Sequence, residues 1–303
     1  MEDLQFRRTY ELIIGSPNSG KGLQIIGDEA ASTGLQMTFK IKKHIDNKEE
    51  SNTCKIDLVN LSEDSINYIQ QDSMAIILKV GYNNNNKILF RGMISEVETD
   101  DGSSREDRRT TIQAVPADYL VYQPSISKTF PAKTTPRQVI NFLIGQSNTI
   151  TRASFNSTNI DRPFDFGYPV EGDVKSILSE MARDFDFNYR IDGQRLYVND
   201  PNKYESPNSV QRAFVISPSS GLLGEPTFAS ADGKKLKDDT TRKKGVKFRS
   251  LINPLIQPGS AVSLKGSSIE GVFRVNSVEY TGDWRGNKWE ALCHCSKLNA
   301  NEV

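Results

Sequence analysis

Alternation of apolar and polar side chains in several short segments of the first 115 residues constrains the fold of this chain more than any other feature. Apolar residues occupy every second position in Leu35–Lys42, in Cys54–Leu58 and in Ile76–Val80. Successive side chains of a β-strand point to opposite faces of the sheet, so a period of two indicates strands with one buried and one wet face. The first third of the chain is therefore predicted to be a β-barrel or β-sandwich.

Turn and capping residues separate these strands. Asn83–Asn86 is predicted to be a loop, because asparagine tolerates unusual backbone angles, and a long strand follows it through Val97. The run Asp100–Ser104 then turns the chain into a return strand. Ser62 is the predicted N-cap of one short helix that continues through Ile69.

The middle of the chain has a different pattern. Residues 135–138, Thr-Pro-Arg-Gln, form a capping box with proline at the first helical position, and Gly145 is predicted to close that helix. A second amphipathic helix is predicted to begin at Asp173. The dipeptide Asp192-Gly193 lies between two apolar runs and predicts a β-hairpin. Residues 117–207 are therefore predicted to form a small α+β domain.

The strand pattern resumes in the last third. Strands are predicted at 213–216, 246–248, 261–264, 272–280 and 289–295. The segment Gly92–Glu98 is echoed by Gly271–Glu279, but the alignment needs a two-residue gap, which leaves chance similarity and true duplication both open. The predicted fold is mainly β with an α+β insert. Two β domains, 1–116 and 208–303, flank the α+β domain, 117–207.

Composition narrows the classes of function. Lysine plus arginine equals aspartate plus glutamate at 38 each, whereas a chain built mainly to hold nucleic acid carries a basic excess. No apolar run approaches the length of about 20 residues that a membrane span needs. The acidic start Met1–Leu4 predicts no secretory signal, and three cysteines are too few for a disulfide framework. Synthesis and assembly in a reducing cytoplasm are therefore expected.

The segment Gly15–Gly22 matches the pattern G-x-x-x-x-G-K and resembles the phosphate loop of nucleoside monophosphate kinases. Such a loop needs a helix that begins at the lysine and a hydroxyl side chain directly after it. Here glycine, leucine and glutamine follow Lys21, and Leu23–Asp28 has the pattern of a short strand. A hairpin connection is therefore predicted. A nucleotide-binding enzyme is the alternative, and it requires that Lys21→Ala abolish nucleotide binding.

Two further groups of residues could carry chemistry. On a strand, the thiols of Cys293 and Cys295 face one side and the imidazole of His294 faces the other, so the three cannot converge on one metal ion. Asp184 and Asp186 fall at a predicted helix-to-strand junction, where solvated turn roles are common. No catalytic residue, metal site or cofactor is predicted, and the chain is expected not to be an enzyme.

A basic segment, 232–249, contains eight lysines and arginines against three aspartates, a local charge of +5 (8 − 3). It is interpreted either as a contact loop for an acidic partner or nucleic acid, or as a solvated loop between strands. The candidate contact residues are Lys234, Lys235, Lys237, Arg242, Lys243 and Lys244. An acidic stretch lies at 96–101, and opposite charge concentrations on one neutral chain suit head-to-tail self-association.

The order of several phrases resembles a known family. In the first third these phrases are I-D-L-V-N-L-S at 56–62, V-G-Y at 80–82 and F-R-G-M-I at 90–94. In the last third they are 253–262, 271–275 and 283–289. In this joint order the chain resembles the baseplate hub proteins of contractile-tailed, Mu-like bacteriophages.

The resemblance implies a homotrimer in which each subunit contributes two tube-type β-barrel domains. Three subunits then form a pseudo-sixfold ring that joins the tail tube to the central spike and lets genomic DNA pass during ejection. The implied partners are the tail tube protein, the central spike protein and other baseplate proteins. The implied location is the virion tail baseplate, after assembly in the host cytoplasm. The alternative is a nucleic-acid-binding module that uses the basic segment and binds in a salt-sensitive way.

Overall fold

A computed structural model describes residues 6–16, 22–45, 52–83, 85–100, 107–116, 125–146, 150–192, 195–200, 213–230 and 244–297. The first third contains β1 (Arg8–Gly15), β2 (Gly22–Asp28), β3 (Met37–His44), β4 (Thr53–Val59), α1 (Glu63–Ile69), β5 (Ala75–Tyr82), β6 (Asn85–Asp100) and β7 (Arg109–Pro116). The middle contains β8 (Ile126–Phe130), α2 (Pro136–Gln146), β9 (Thr151–Asn156), β10 (Tyr168–Gly172), α3 (Val174–Asp184), β11 (Asn188–Asp192) and β12 (Arg195–Asn199). The last third contains β13 (Phe214–Ile216), β14 (Leu222–Ser230), β15 (Lys244–Leu251), β16 (Ala261–Lys265), β17 (Glu270–Asp283) and β18 (Trp289–Lys297). Short 3-10 turns occur at Asn159–Asp161 and Pro218–Ser220.

Local sequence signals account for most of these elements. The alternating apolar residues of β3 and β4 are buried, while Lys40 and Lys42 between them stay exposed. All three helices begin at the predicted caps. The Ser62 hydroxyl accepts from Ser65 N, the Asp173 carboxylate accepts from two backbone N–H groups, and Thr135 forms the reciprocal capping box that begins α2. These side chains satisfy N–H groups that a helix start leaves without an intrahelical partner.

Most of the strands form one extended sheet that draws on both outer thirds of the chain and is antiparallel except where β13 pairs parallel with β16. Its path runs β14-β15-β18-β17-β3-β4-β7-β6-β5-β1-β2, and β16 joins β13 to β17. The prediction of a mainly β fold is confirmed. Within the described residues this path is open, with β14 and β2 at its ends, and the pairings close no barrel.

The described part of the chain has two separate hydrophobic cores. One lies under the large sheet and combines buried residues from 10–114 with buried residues from 216–295. The other lies within 126–198, where α2 and α3 pack on the sheet β11-β12-β9 and on the pair β10-β8. No helix in the described ranges is long and apolar enough to cross a membrane.

Several predicted boundaries and elements differ from the structure. The Asn83–Asn86 loop is shorter than predicted, because Tyr82 already pairs with Asn85 across the turn. Helix α2 continues one residue past Gly145. Strand β6 extends three residues beyond Val97, since β7 pairs with it through its last residue. Four strands were not predicted, and their polar or glycine- and proline-containing sequences lack clean alternation: β8, β9, β10 and β14.

The structure contains the same hairpin twice. Strands β6 and β7 pair from Gly92↔Pro116 to Asp100↔Arg109, with a bulge between residues 94 and 96. Strands β17 and β18 pair from Phe273↔Lys297 onward, with a bulge between residues 275 and 277. Every pair of the first hairpin maps to a pair of the second 181 residues later (273 − 92 and 297 − 116 both give 181). The weak echo in the sequence thus corresponds to an equal hairpin with no gap. The structure aligns Gly92 with Phe273, not with Gly271.

The repeat continues into the neighbouring strands. Strand β5 lies beside β6 as β16 lies beside β17, and Ile94 N donates to Met74 O at the same 2.9 Å as Val275 N to Ser260 O. On the other side, β4 pairs with β7 as β15 pairs with β18, and β3 and β14 occupy the next position out. We call β3-β4-β7-β6-β5 the first sheet unit and β14-β15-β18-β17-β16 the second sheet unit.

Candidate assembly surface

The segment that matches a phosphate loop is a hairpin connection. Strand β2 begins at Gly22, directly after Lys21, and pairs antiparallel with β1 from Gly15↔Gly22 to Thr9↔Asp28. Residues 17–21, including Lys21, lie outside the described part of the chain. Because a strand occupies the position where the phosphate-binding helix would start, the chain after Lys21 offers no helix N-terminus that could hold phosphate.

Cys293 and Cys295 face the core of the second sheet unit, and His294 lies on the opposite face of β18. Both thiols are fully buried, and burial raises the pKa of Cys293 to about 12, because the thiolate would lose its hydration. Cys54 is buried in the same way, and all three cysteines are free. Across the described ranges, no group of three or more His, Cys, Asp or Glu residues is placed to hold a metal ion.

Asp184 and Asp186 lie at the end of α3, as predicted, and have local structural contacts. The Tyr168 hydroxyl donates to Asp184 at 3.0 Å, and burial together with this neighbouring carboxylate raises the pKa of the tyrosine. Asp186 has a left-handed backbone with φ of 50°, and its carbonyl accepts from Asn159 Nδ2 at 2.7 Å. Asp184 thus ties the end of α3 to β10, and Asp186 lies in the turn that leads from the helix into β11.

Most of the basic segment 232–249 lies outside the described part of the chain. Lys234, Lys235, Lys237, Arg242 and Lys243 lie outside the described residues, and Lys244 begins β15 without a described side chain. The last part of the segment is a strand and not a loop: in β15, Val246 and Phe248 face the core, while Arg249 is exposed. Contact with a partner or with nucleic acid through this segment stays a prediction.

The acidic stretch has a defined position on the sheet. Glu96, Glu98 and Asp100 are exposed at alternate positions of β6, so their side chains share its wet face. Gln113 on β7 donates to the Glu96 carboxylate. Beyond residue 94, β6 pairs with β7 on one side, and no described strand pairs with it on the other. Within the described residues, the end of β6 that carries these three carboxylates is therefore paired on one side alone, although β6 lies in the middle of the sheet path. Asp101 lies outside the described residues.

The two sheet units of one chain are joined by β17 and β3. These strands pair antiparallel from Ser277↔His44 to Asp283↔Thr38. On the wet face, the Glu279 carboxylate lies 2.9 Å from Lys40 Nζ and 3.8 Å from Lys42 Nζ. Exposed ion pairs of this kind contribute about 0–1 kcal/mol, so they favour the register more than they stabilise the junction.

The core face of this junction carries its apolar contacts. Tyr280 lies opposite Ile41 and both are fully buried, and the Tyr280 hydroxyl donates to Ile256 O. Gly282 lies opposite Phe39, whose ring covers the glycine and packs edge-on against Trp289 with centroids 5.4 Å apart. Burial of two or three large side chains, at about 1.5–3 kcal/mol each, makes this the stronger part of the joint.

The outer edge of the second sheet unit exposes a large apolar residue. Phe228 on β14 lies opposite Val246 of β15, so it points toward the core face, yet it is 80% exposed. In the first sheet unit the corresponding position is Ile41, which β17 covers and which is 0% exposed. Sequence reasoning missed this residue because β14 itself was not predicted.

No family model matches the sequence, and no curated protein matches it. Solved structures of low sequence identity do match the fold. A tail protein from Neisseria meningitidis MC58 is 10% identical, with a TM-score of 0.62, covering 95% of this chain and 96% of that chain. The 43 kDa tail protein of prophage MuSo2 from Shewanella oneidensis is 10% identical, with a TM-score of 0.61 over the same shares.

A third match is the c3393 protein of E. coli, a component of the type VI secretion system described as structurally similar to the T4 bacteriophage tail proteins gp27 and gp5. It is 11% identical, with a TM-score of 0.56, covering 88% of this chain and 74% of that chain. The chain therefore has the fold of these two tail proteins and of this secretion component. The resemblance to phage baseplate proteins inferred from the sequence is confirmed for the fold.

Proposed function

We propose that this chain is a structural tail protein, the hub subunit of a phage tail baseplate. Three copies form a ring with pseudo-sixfold symmetry that joins the tail tube to the central spike and lets genomic DNA pass. The observation that carries this proposal is the repeat of one sheet unit within a single chain, with equal registers and bulges 181 residues apart (273 − 92).

Symmetry gives the repeat its functional meaning. Closed rings are built from contacts that repeat around an axis. A chain with two equivalent units presents six units when three copies assemble. The six units can then meet a sixfold partner on one face of the ring. The three whole chains keep threefold symmetry and can meet a threefold partner. The side-by-side joining of the two units through β17 and β3 supports this, because it places both in one continuous sheet.

In this proposal the two outer regions, 1–116 and 208–303, are tube-type β-barrel domains, and 117–207 is an α+β domain between them. The sheet that stays open in one chain is continued by its neighbours. The protein is not an enzyme. Its partners are two further copies of itself, the tail tube protein, the spike protein and other baseplate proteins. It is assembled in the host cytoplasm and resides in the virion tail.

The mass of the purified chain in solution tests the proposal. One chain has a mass of 33.9 kDa, and sedimentation equilibrium is expected to give three times that value. Isolated tail particles are expected to contain the chain at a threefold copy number. A chain that stays monomeric at every concentration and is absent from tail particles would contradict the proposal.

A further inference from the structure

We infer that neighbouring copies are joined by antiparallel pairing of the end of β6 in one copy with β14 in the next. This inference rests on the proposed ring and names the surface that builds it. The occupant of each open edge is a second copy of this chain.

The template for this contact lies within the chain itself. Strand β17 pairs with β16 over its first residues and with β3 over Ser277–Asp283, both on the side away from β18. Its counterpart β6 pairs with β5 over residues 85–93, and no described strand follows on that side over 95–100. Strand β14 has the position in the second sheet unit that β3 has in the first, and it ends the sheet path. Among the described strands, the end of β6 thus corresponds to β17 and the outer edge of β14 corresponds to β3. These are the two strands that form the junction within one chain.

The repeat also fixes the register. Subtracting 181 from the β17 residues gives their β6 counterparts, so Glu279, Tyr280 and Thr281 correspond to Glu98, Thr99 and Asp100. On the partner strand, Lys40 and Ile41 lie opposite Lys55 and Cys54, as Thr227 and Phe228 lie opposite Lys247 and Val246. The expected pairs between copies are therefore Glu98↔Ala229, Thr99↔Phe228 and Asp100↔Thr227.

The exposure of Phe228 supports this register independently. Its counterpart Ile41 is fully buried because Tyr280 of the neighbouring strand lies beside it, whereas Phe228 is 80% exposed. An incoming β6 would place Thr99 next to Phe228 on the same face. Large apolar side chains that stay exposed on an unpaired edge strand favour association with another strand. A second copy that supplies β6 would cover the aromatic side chain of Phe228.

The other end of the sheet path is a weaker candidate. Strand β2 exposes Ile26, which is 55% exposed. However, β2 has no counterpart in the second sheet unit, so the internal junction offers no template for its pairing. The small side chains at Thr227 and Ala229, in contrast, leave room on the wet face for the carboxylates of Glu98 and Asp100.

Cysteine cross-linking tests the pairing directly. Directly opposed residues of an antiparallel pair have Cα atoms about 4.5–5.5 Å apart, within the range that a disulfide bridges. The double variant Glu98→Cys/Ala229→Cys is expected to yield covalent trimers on non-reducing gels after mild oxidation. The native cysteines do not compete, because Cys54, Cys293 and Cys295 are buried.

A shifted pair provides the matched control. In Glu98→Cys/Thr227→Cys the second cysteine lies two residues away on the same face, about 7–8 Å from its partner, and cross-linking is expected to be lost. If the chain sediments as a trimer but the first pair gives no cross-link, or if both pairs react equally, the β6–β14 joint is wrong and the ring survives. A chain that is monomeric throughout overturns both proposals.

A second variant tests the apolar contact without cross-linking. Phe228→Glu is expected to convert the trimer to monomers and to leave the fold of each chain intact by far-ultraviolet circular dichroism, because the side chain is exposed in the single chain. Phe166→Glu is the control, since Phe166 is 83% exposed on the α+β region and its replacement is expected to leave the trimer intact. If Phe228→Glu stays trimeric, Phe228 is outside the interface.

Discussion

The junction between the two sheet units predicts a specific steric coupling between Gly282 and Phe39. A Cβ added at Gly282 would lie 2.2 Å from Cε1 and 2.3 Å from Cζ of Phe39. An ordinary contact begins at 3.4 Å, so the ring would have to move by about 1.2 Å (3.4 − 2.2). Phe39 is 3% exposed and packs against Trp289, which leaves it little room. We expect Gly282→Ala to lower the free energy of unfolding by about 1–3 kcal/mol.

A double-mutant cycle separates this steric clash from other effects. Phe39→Leu removes the ring edge that the new methyl would meet, although it also costs stability by leaving a cavity. The double variant is expected to lose about 0.5–3 kcal/mol less stability than the sum of the losses of the two single variants, because the two sites are in contact. Urea unfolding followed by far-ultraviolet circular dichroism measures all four proteins.

Gly145→Ala is the control substitution. It lies within α2, and an added Cβ meets no atom within 4 Å, so it is expected to be neutral or to stabilise by up to about 1 kcal/mol. If Gly282→Ala leaves stability unchanged, or if its effect and that of Phe39→Leu add strictly, the two strands do not pack in the described register.

Three further predictions concern the buried thiol of Cys293, the Tyr10 hydroxyl and the connection between β1 and β2. Stability is expected to fall as the pH rises from about 9 toward 12: the unfolded chain ionises its thiols near their ordinary pKa of 9.0, whereas burial raises the pKa of Cys293 to about 12, so the folded state keeps its protons. Urea unfolding at pH 7, 9 and 10.5 measures this trend, and a flat profile would contradict it. Tyr10→Phe removes a hydroxyl that donates to Leu35 O at 2.8 Å and is expected to cost about 0.5–1.5 kcal/mol in thermal unfolding; no loss would mean the bond is not formed. Calorimetric titration with ATP is expected to give no binding to the wild-type chain, and binding that Lys21→Ala abolishes would restore the nucleotide-site alternative.

The sequence predicted those elements whose formation depends on neighbouring residues. The helix caps at Ser62, Thr135 and Asp173 and the hairpin at Asp192-Gly193 each depend on residues close together in the chain. Strand β14 escaped prediction because Gly224, Glu225 and Pro226 interrupt its alternation. These residues also make its pairing with β15 irregular, since Leu223 and Thr227 are the flanking partners.

Long-range features could not be read in the same way. Strands β17 and β3 pair residues that lie more than 230 positions apart, such as Ser277 and His44, and neither segment carries a signal for the other. In the sequence, the internal repeat was visible only as the dipeptide Val-Glu at 97–98 and 278–279 and as a glycine pair, Gly92 and Gly271, that the structure does not align. The gapless register becomes evident in the structure, where the bulges of the two hairpins lie at equivalent positions. A bulge requires no fixed residue type, so the sequence did not mark these positions. The candidate assembly edge followed from that register and not from charge.

Electron microscopy of the purified chain, with particles averaged in views along the ring axis, tests the central claim most directly. The account predicts a closed ring with a central opening and six similar lobes, two from each of three copies. A single-copy particle, or a ring in which the two sheet units of one chain do not occupy equivalent positions around the opening, would contradict it.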